Sequence, residues 1–297
     1  MKKLLLGIAA VCLAGFTFAQ EAPLWMRHSV ISPDGTTIAF TYKGDIYTVP
    51  VAGGRAMQIT TNPAYDTAPV WSPDSKRIAF ASDRMGSLDV YIVAKDGGEP
   101  RRLTTHSGSE TPLAFTDAGH VLFSAGIMPS AEAVVFPSNG QFNQVYRVSV
   151  EGGRPTMISS MPMECISINK EGAMLYQDKK GYEDYWRKHH VSPIARDIWM
   201  YTPGKEPQYR QLTTFGGEDR EPVWAPYGKT FYYLSEENGS FNIYRRTPGD
   251  AKAVQLTHYT KNPVRYLSAA TDGRLCYGFD GEIYTLLPGG EAQKVNI

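Results

Sequence analysis

The sequence predicts an all-β fold, a six-bladed β-propeller with four antiparallel strands in each blade. Two signatures recur six times in the same order along the 297 residues: a strand that ends in an aromatic residue and, after it, a strand of the type Asp-Ile-Tyr. A turn and a short strand follow each pair of signatures. Units of about 46 residues with four short strands are typical of propeller blades, and a β-sandwich does not explain six ordered copies.

The first signature ends the second strand of each blade with two apolar residues and an aromatic. Its copies are Ile38-Ala39-Phe40, Ile78-Ala79-Phe80, Val121-Leu122-Phe123, Met174-Leu175-Tyr176, Phe231-Tyr232-Tyr233 and Leu275-Cys276-Tyr277. The second signature marks the third strand. Its copies are Asp45-Ile46-Tyr47, Asp89-Val90-Tyr91, Gln144-Val145-Tyr146, Asp197-Ile198-Trp199, Asn242-Ile243-Tyr244 and Glu282-Ile283-Tyr284. Apolar and aromatic residues in short runs favour strands.

Turn residues separate the strands within each blade. Ser32-Pro33-Asp34-Gly35 is typical of a tight turn between strands one and two, because Pro presets φ and Asp or Gly completes the reversal. The predicted blades span residues 24–62, 63–107, 108–161, 162–216, 217–259 and 260–297. Each blade uses contiguous sequence, so we expect no strand exchange between the termini. Closure then depends on packing of blade one on blade six, expected to be a weaker seam than the others.

The first residues predict export. Lys2 and Lys3 precede the apolar run from Leu4 to Phe16, and Thr17-Phe18-Ala19 places small residues where a signal peptidase cuts. We therefore assign residues 1–19 to a signal peptide and residues 20–297 to the propeller, in the periplasm or secreted. The bulky Val11 before Cys12 argues against a lipid anchor.

Composition excludes some classes of partner. Lys and Arg total 30, as do Asp and Glu, so no net charge attracts nucleic acid or an anionic membrane. No later stretch is apolar enough to span a bilayer. Cys165 and Cys276 lie in strands of blades separated by another blade, so we expect both to be unpaired, small and buried.

Blades three and four carry long insertions. From the aromatic of strand two to that of strand three the spacing is 7 in blades one and six, 11 in blades two and five, and 23 in blades three and four. Long loops in compact domains are often functional. Aromatic and charged side chains in both insertions predict peptide or partner binding. The candidate residues are Phe136, Phe142, Tyr182, Glu183, Asp184, Tyr185, Trp186, Arg187, Lys188, His189 and His190. Alternatively, the insertions pack on each other or on a following domain.

Acidic residues stand at corresponding starts of the innermost strand. They are Asp66, Glu110 and Asp219, with Glu164 one place out of register. We expect them at the upper mouth of the central channel, where they would receive a cationic group such as a peptide amino terminus. The alternative is that each one hydrogen-bonds the backbone of a neighbouring blade.

No complete catalytic or cofactor site is evident. The sequence has no Gly-x-Ser-x-Gly elbow, no glycine-rich phosphate loop and no His-Glu-x-x-His motif. Adjacent His189 and His190 on an extended segment point to opposite sides, which disfavours their binding one metal ion. We therefore predict no catalytic residue, no metal and no cofactor.

The chain resembles the amino-terminal propeller of exported bacterial tricorn-type serine peptidases and, more broadly, TolB-like propellers. The specific motifs are Phe142-Asn143-Gln144-Val145-Tyr146 before Gly152-Gly153, and the run from Glu183 to His190 before Ala195-Arg196-Asp197-Ile198-Trp199. The resemblance implies a six-bladed propeller that filters or channels peptides toward a catalytic core. That core lies in later domains, so we expect this chain to be part of a longer protein or a truncated relative.

The resulting functional hypothesis is a non-catalytic peptide-binding or gating domain of a tricorn-like serine peptidase, in which the chain alone does not hydrolyse substrates. Its expected partners are peptides or unfolded polypeptide and the downstream peptidase domains. One alternative is a self-standing TolB-like scaffold that binds envelope proteins. Another is a metal-assisted propeller lyase or hydrolase.

Overall fold

In the residues that the structure describes, twenty-four strands form six separate antiparallel sheets of four strands. The computed structural model describes residues 23–126, 142–182 and 191–297. Blades one and two contain β1 Arg27–Ile31, β2 Thr37–Tyr42, β3 Asp45–Pro50, β4 Met57–Gln58, β5 Asp66–Trp71, β6 Arg77–Ser82, β7 Asp89–Ala94 and β8 Arg101–Arg102. Blades three and four contain β9 Glu110–Asp117, β10 His120–Ala125, β11 Gln144–Ser149, β12 Thr156–Ser159, β13 Met163–Ile168, β14 Met174–Asp178, β15 Ile198–Thr202 and β16 Gln208–Gln211. Blades five and six contain β17 Asp219–Trp224, β18 Phe231–Ser235, β19 Asn242–Arg246, β20 Val254–Gln255, β21 Arg265–Ala269, β22 Leu275–Phe279, β23 Glu282–Leu286 and β24 Gln293–Lys294.

Strand order in each sheet follows chain order, so every blade is built from contiguous sequence. Each innermost strand contacts the innermost strands of both neighbouring blades, including β1 with β21, which closes a ring. The predicted six-bladed propeller is confirmed. One 3-10 turn, Pro226–Gly228, is the only helical segment in the described ranges, and no helix there is long and apolar enough to cross a membrane.

The two recurring aromatic positions form a cross-strand pair in every blade. Phe40 lies directly opposite Tyr47, and the same register holds in all six sheets. In blades one, two, three and six the two rings stack, with centroids 5.7–5.9 Å apart. The strand-two ring is buried in all six blades. Such pairs stabilise a sheet through area burial and ring contact, which explains why both aromatics recur.

A threonine two residues after the fourth strand binds to the third strand. In four blades its hydroxyl accepts a hydrogen bond from the backbone N–H of the aliphatic residue in the second signature. The pairs are Ile46 with Thr60 (3.0 Å), Val90 with Thr104 (2.9 Å), Ile198 with Thr213 (2.9 Å) and Ile243 with Thr257 (2.9 Å). In blade one the same hydroxyl donates to the Asp45 carboxylate at 3.1 Å. The repeated Thr thus satisfies a buried backbone donor where the short fourth strand ends.

The Ser-Pro-Asp turns are held by their own side chains. Ser32 donates its hydroxyl proton to Asp34 at 2.5 Å and accepts the backbone N–H of Thr37 at 3.0 Å. Ser72 and Asp74 repeat the first contact at 2.5 Å. Short polar side chains that bond to nearby backbone favour turns over strands.

Blade one closes directly on blade six without strand exchange, as predicted. Residues of both blades form one apolar cluster that includes Phe40 and Cys276. Three backbone hydrogen bonds cross the seam in the described part of the chain: Met26 N–H to Gly281 O (3.1 Å), Gly54 N–H to Asn296 O (2.7 Å) and Thr271 N–H to Pro33 O (2.9 Å). That this seam is weaker than the others stays a prediction.

Candidate functional site

The four acidic residues lie at the start of the innermost strands. Asp66, Glu110 and Asp219 are the first residues of β5, β9 and β17, and Glu164 is the second residue of β13. The backbone N–H of the first three donates to a carbonyl of the preceding blade. The acceptors are Gly44 (2.7 Å), Leu88 (2.6 Å) and Arg196 (2.9 Å), respectively. These positions therefore belong to the seams between blades.

The Asp66 side chain is neutralised inside its seam. It is 0% exposed, and Arg84 binds both carboxylate oxygens, at 3.1 and 3.0 Å. The guanidinium also lies 4.4 Å from the centre of the Tyr91 ring. A paired guanidinium offsets the cost of burying a carboxylate. Asp66 consequently faces a cation within the protein.

Glu110 has a different environment in the next seam. Its carboxyl is 1% exposed, and His106 Nδ1 lies 3.9 Å from one oxygen. Burial and the neighbouring Asp89 carboxyl raise the pKa of Glu110 to about 7. Asp89 itself pairs with Arg102 at 2.8 Å. Glu110 therefore titrates near neutral pH, in an environment that favours its protonated form.

Asp219 is the third buried carboxyl. It is 1% exposed, and burial raises its pKa to about 7, although hydrogen bonds with Ser235 and Thr213 oppose the rise. Three of the four acidic side chains thus lie within the seams rather than on an open surface. Their reception of a cationic ligand stays a prediction.

Glu164 is the partly exposed member and belongs to a network of charges. Arg196 donates to it at 3.0 Å and Lys179 lies at 3.5 Å. Burial alone would raise the pKa of Glu164, but these cations and a hydrogen bond from Gln177 hold it below its usual value. Arg196 also reaches Glu218 in blade five at 2.9 Å. The network joins blades four and five at the base of the blade-four insertion.

The two ends of the blade-four insertion are tied to the blade. Lys180 Nζ donates to the Asp197 carboxylate at 2.5 Å and to the Ala195 carbonyl at 2.7 Å. Beyond this anchor Tyr182 is 75% exposed. In blade three, Phe142 is partly buried. Of the other candidate binding residues, Phe136 and the run from Glu183 to His190 lie outside the described residues.

The innermost strands share a bulge that shapes the channel wall. In five blades the register with strand two shifts beside a residue with positive φ. These residues are His28 (50°), Ala68 (52°), Cys165 (52°), Glu221 (50°) and Tyr266 (58°). Blade three has Pro112 two residues after Glu110, where the ring fixes φ at a negative value. Bulges re-aim side chains, and in blade five the Glu221 carboxylate accepts the backbone N–H of Leu267 in blade six at 2.7 Å.

Contacts across the seams join the bulge residue His28 to both neighbouring blades. His28 meets the Tyr266 ring of blade six, with centroids 4.9 Å apart, and the Thr67 hydroxyl of blade two, 3.1 Å from Nδ1. Burial and the charge of Arg27 lower the pKa of His28 to about 4, so its ring is neutral at pH 7. The neutral ring can share a proton with Thr67 in either tautomer.

The structure corrects the expectation for one cysteine. Both cysteines are unpaired, as predicted, and Cys276 is buried. Cys165, at the bulge position of β13, is exposed instead of buried. Desolvation by the surrounding protein and the nearby Glu221 and Glu164 carboxylates raise its pKa.

Comparison with known proteins identifies the family. A family model described as the tricorn protease N-terminal β-propeller domain matches residues 23–292. The chain belongs to this family.

Two curated relatives align with about nine-tenths of this chain. Tricorn protease homolog 1 of Streptomyces coelicolor is 26% identical over 281 residues, which is 93% of this chain and 25% of the relative. The tricorn protease homolog of Saccharolobus solfataricus is 23% identical over 278 residues, or 89% of this chain and 24% of that protein. The chain thus spans about a quarter of the length of these relatives.

Two solved structures show the same fold. The crystal structure of the tricorn protease superposes with a TM-score of 0.77 at 20% identity, covering 93% of this chain and 26% of that one. TolB from Acinetobacter baumannii gives a TM-score of 0.69 at 14% identity, covering 90% of this chain and 65% of that one. At these identities the likeness concerns architecture.

Sequence reasoning missed several residues that the tricorn-type propeller brings together. Arg196 and Glu218 link two blades through their side chains, yet their spacing carries no periodic signal. Arg196 does occur in a motif that marked the resemblance to the family. The bulge residues His28, Ala68, Cys165, Glu221 and Tyr266 share no residue type, so the sequence carries no signal for the bulge.

Proposed function

We propose that this propeller binds and guides peptides for a tricorn-type serine peptidase whose catalytic residues lie in other domains. Membership of the family carries the proposal, since the match covers residues 23–292 and its relatives are about four times longer. The insertions of blades three and four supply the proposed binding face, with Trp186, Tyr185 and Tyr182 as aromatic contacts. Rigid aromatic side chains offer large contact area at modest entropic cost.

The test measures peptide affinity and thermal stability together. For Trp186→Ala we expect at least about tenfold weaker binding of a fluorescent unfolded polypeptide, as for an interface hot spot, and a Tm within a few degrees of the parent. Tyr182→Ala, in the same insertion, should weaken binding in the same direction. Lost stability with intact affinity would contradict the binding role and favour insertions that only brace one another. The isolated chain should show no hydrolysis that a serine-directed inhibitor blocks.

Export to the periplasm is part of the same proposal. The first 22 residues, which include the proposed signal peptide, lie outside the described residues. Amino-terminal sequencing of the mature protein should begin at Gln20. A lipidated Cys12, or an uncleaved chain in the cytoplasm, would contradict it.

A TolB-like scaffold is the alternative function. The likeness to TolB supports it through architecture only. Capture of one folded envelope protein, without binding of unfolded polypeptide, would favour that function over peptide guidance.

A further inference from the structure

One exposed turn of blade five contains an asparagine followed by a glycine. Asn238 and Gly239 lie between β18 and β19, and both residues are exposed. Gly239 has a φ of 94°, and a Cβ built there would meet nothing within 4 Å. The peptide bond that joins the two residues is therefore open to water and to dissolved base.

Each of the other asparagines in the described ranges lacks one part of this combination. A proline, which has no backbone N–H, follows two of them, and a residue with a side chain follows the rest. Asn242 is in addition buried. The pairs are Asn62-Pro63, Asn143-Gln144, Asn169-Lys170, Asn242-Ile243, Asn262-Pro263 and Asn296-Ile297. In the described part of the chain, Asn238 alone precedes a glycine.

The side-chain amide of Asn238 ties this turn to the two outer strands of the blade. Its Nδ2 donates to the Tyr244 hydroxyl of β19 at 2.9 Å and to Gln255 Oε1 of β20 at 2.6 Å. Gln255 donates its own amide to the Thr257 carbonyl at 2.8 Å, which fixes the direction in which its oxygen points. Two hydrogen bonds therefore hold the nitrogen atom that deamidation of Asn238 would release.

Deamidation joins the backbone nitrogen of the glycine to the side chain of the asparagine. The Gly239 nitrogen gives its proton to hydroxide and forms a bond to Asn238 Cγ. The Cγ–Nδ2 bond breaks, and the released nitrogen takes a proton from water and leaves as ammonia. Water then opens the succinimide ring to aspartate or isoaspartate. The turn must open first, because the Gly239 N–H donates to the Glu236 carbonyl at 2.8 Å.

We propose that Asn238 deamidates spontaneously in the folded protein, at a rate limited by its hydrogen bonds to Tyr244 and Gln255. The reaction replaces a donor by a carboxylate, to which the Tyr244 hydroxyl can still donate. Gln255 Oε1 is an acceptor, so it then faces a second acceptor. Turning the Gln255 amide over would break its bond to the Thr257 carbonyl. Deamidation therefore weakens the outer edge of blade five and adds a negative charge beside Glu237.

Peptide mapping by mass spectrometry measures the reaction on the full chain. The parent, Gln255→Ala and Tyr244→Phe are held at pH 8 and digested at intervals, and chromatography separates the aspartate and isoaspartate products. We expect conversion at Asn238 in all three proteins. It should be about two- to tenfold faster in each variant, the factor that corresponds to the loss of one ordinary hydrogen bond. Asn169, which precedes a lysine, is the matched control and should stay unchanged in the same digests.

The effect of the product is measured separately with Asn238→Asp. We expect the Tm to fall by a few degrees in the parent background, because the new carboxylate faces Gln255 Oε1. In the Gln255→Ala background the same substitution should change the Tm little, since that acceptor is absent. The two backgrounds together form a double-mutant cycle that isolates the contact.

Three results would overturn the inference. The first is conversion of Asn238 in urea without conversion in the folded chain. The second is an equal rate in the parent and in both variants. The third is an equal loss of Tm for Asn238→Asp in the two backgrounds, which would mean that Gln255 does not oppose the carboxylate. The outcome is independent of whether the propeller binds peptides.

Discussion

Three equivalent acidic residues reach three different electrostatic states through their immediate neighbours. Asp66 has a bidentate guanidinium partner, whereas Glu110 faces a second carboxyl, Asp89, and a histidine at 3.9 Å. Asp219 is held by hydroxyl groups in a buried site. The same position therefore carries a charge pair within blade two and makes two other seams sensitive to ionisation.

The sensitivity of Glu110 predicts a pH-dependent effect of its removal. The folded pKa of about 7 exceeds the ordinary 4.5, so between these values the unfolded chain ionises first and the free energy of unfolding decreases as pH rises. Glu110→Gln removes this loss. Relative to the parent, we expect the variant to gain about 1–3 kcal/mol between pH 5 and pH 8, measured by urea denaturation at each pH.

Comparing the parent with Glu110→Gln at each pH isolates the contribution of Glu110 to the free energy of unfolding. His28, with its pKa lowered to about 4, acts in the opposite sense as pH falls below 6.5 and contributes equally to parent and variant. Its site is in blade one, away from the Glu110 seam. A stability difference between parent and Glu110→Gln that does not change with pH would contradict the assignment.

At the scale of elements, the turns between strands three and four decide how blades meet. Gly53 and Gly152 occupy the same place in blades one and three, with φ of 85° and 83°. Only Gly53 lies against the last strand of the chain, since a Cβ there would lie 2.6 Å from the Asn296 carbonyl oxygen. A Cβ at Gly152 would meet nothing within 4 Å. The two glycines therefore have the same backbone conformation and differ only in their contact across the seam.

This difference predicts unequal effects of the same substitution. Gly152→Ala should cost about 1 kcal/mol, the strain of a side chain at positive φ. Gly53→Ala should cost more, roughly 2–4 kcal/mol in total, because the clash with Asn296 also breaks the backbone hydrogen bond from Gly54 that closes the ring. Thermal and urea denaturation of both variants measure the difference. Equal losses would mean that the contact with Asn296 contributes little to closure.

At the scale of the whole molecule, the ring leaves one thiol accessible and buries another. Cys165 is exposed on an innermost strand, and Cys276 is buried in the seam of blades one and six. The two thiols therefore differ in their access to solvent.

Thiol labelling tests this arrangement. In the folded mature protein we expect one reactive thiol with a small maleimide and two after denaturation. Reaction should be slow at pH 7, since the pKa of Cys165 is raised and the thiolate is the nucleophile. A Cys165→Ser variant should lose the native-state reaction. Two reactive thiols in the folded state would show that the closing seam opens.

The sequence by itself determined the blade number, the strand order and the contiguous construction of each blade. Its recurring residues act within one blade: Phe40 pairs with Tyr47 across one strand boundary, and Thr60 bonds to Ile46 fourteen residues away. Because such interactions join residues at short and fixed spacing, the same residue types recur in each blade and are visible in a single sequence. The strand-start positions of Asp66, Glu110 and Asp219 followed from the same periodicity.

Only the tertiary structure decided the environment of those positions. Burial of Glu110, the link from Arg196 to Glu218 and exposure of Cys165 all depend on residues from another blade or on a bulge that turns the side chain. Met26 likewise donates its backbone N–H to Gly281, more than 250 residues later in the chain. Contacts at such separation arise when the ring closes, and their partners share no fixed spacing in sequence. The physical reason is that a sequence repeat specifies the contacts within each blade, whereas charge, exposure and strain depend on contacts with residues of the neighbouring blade.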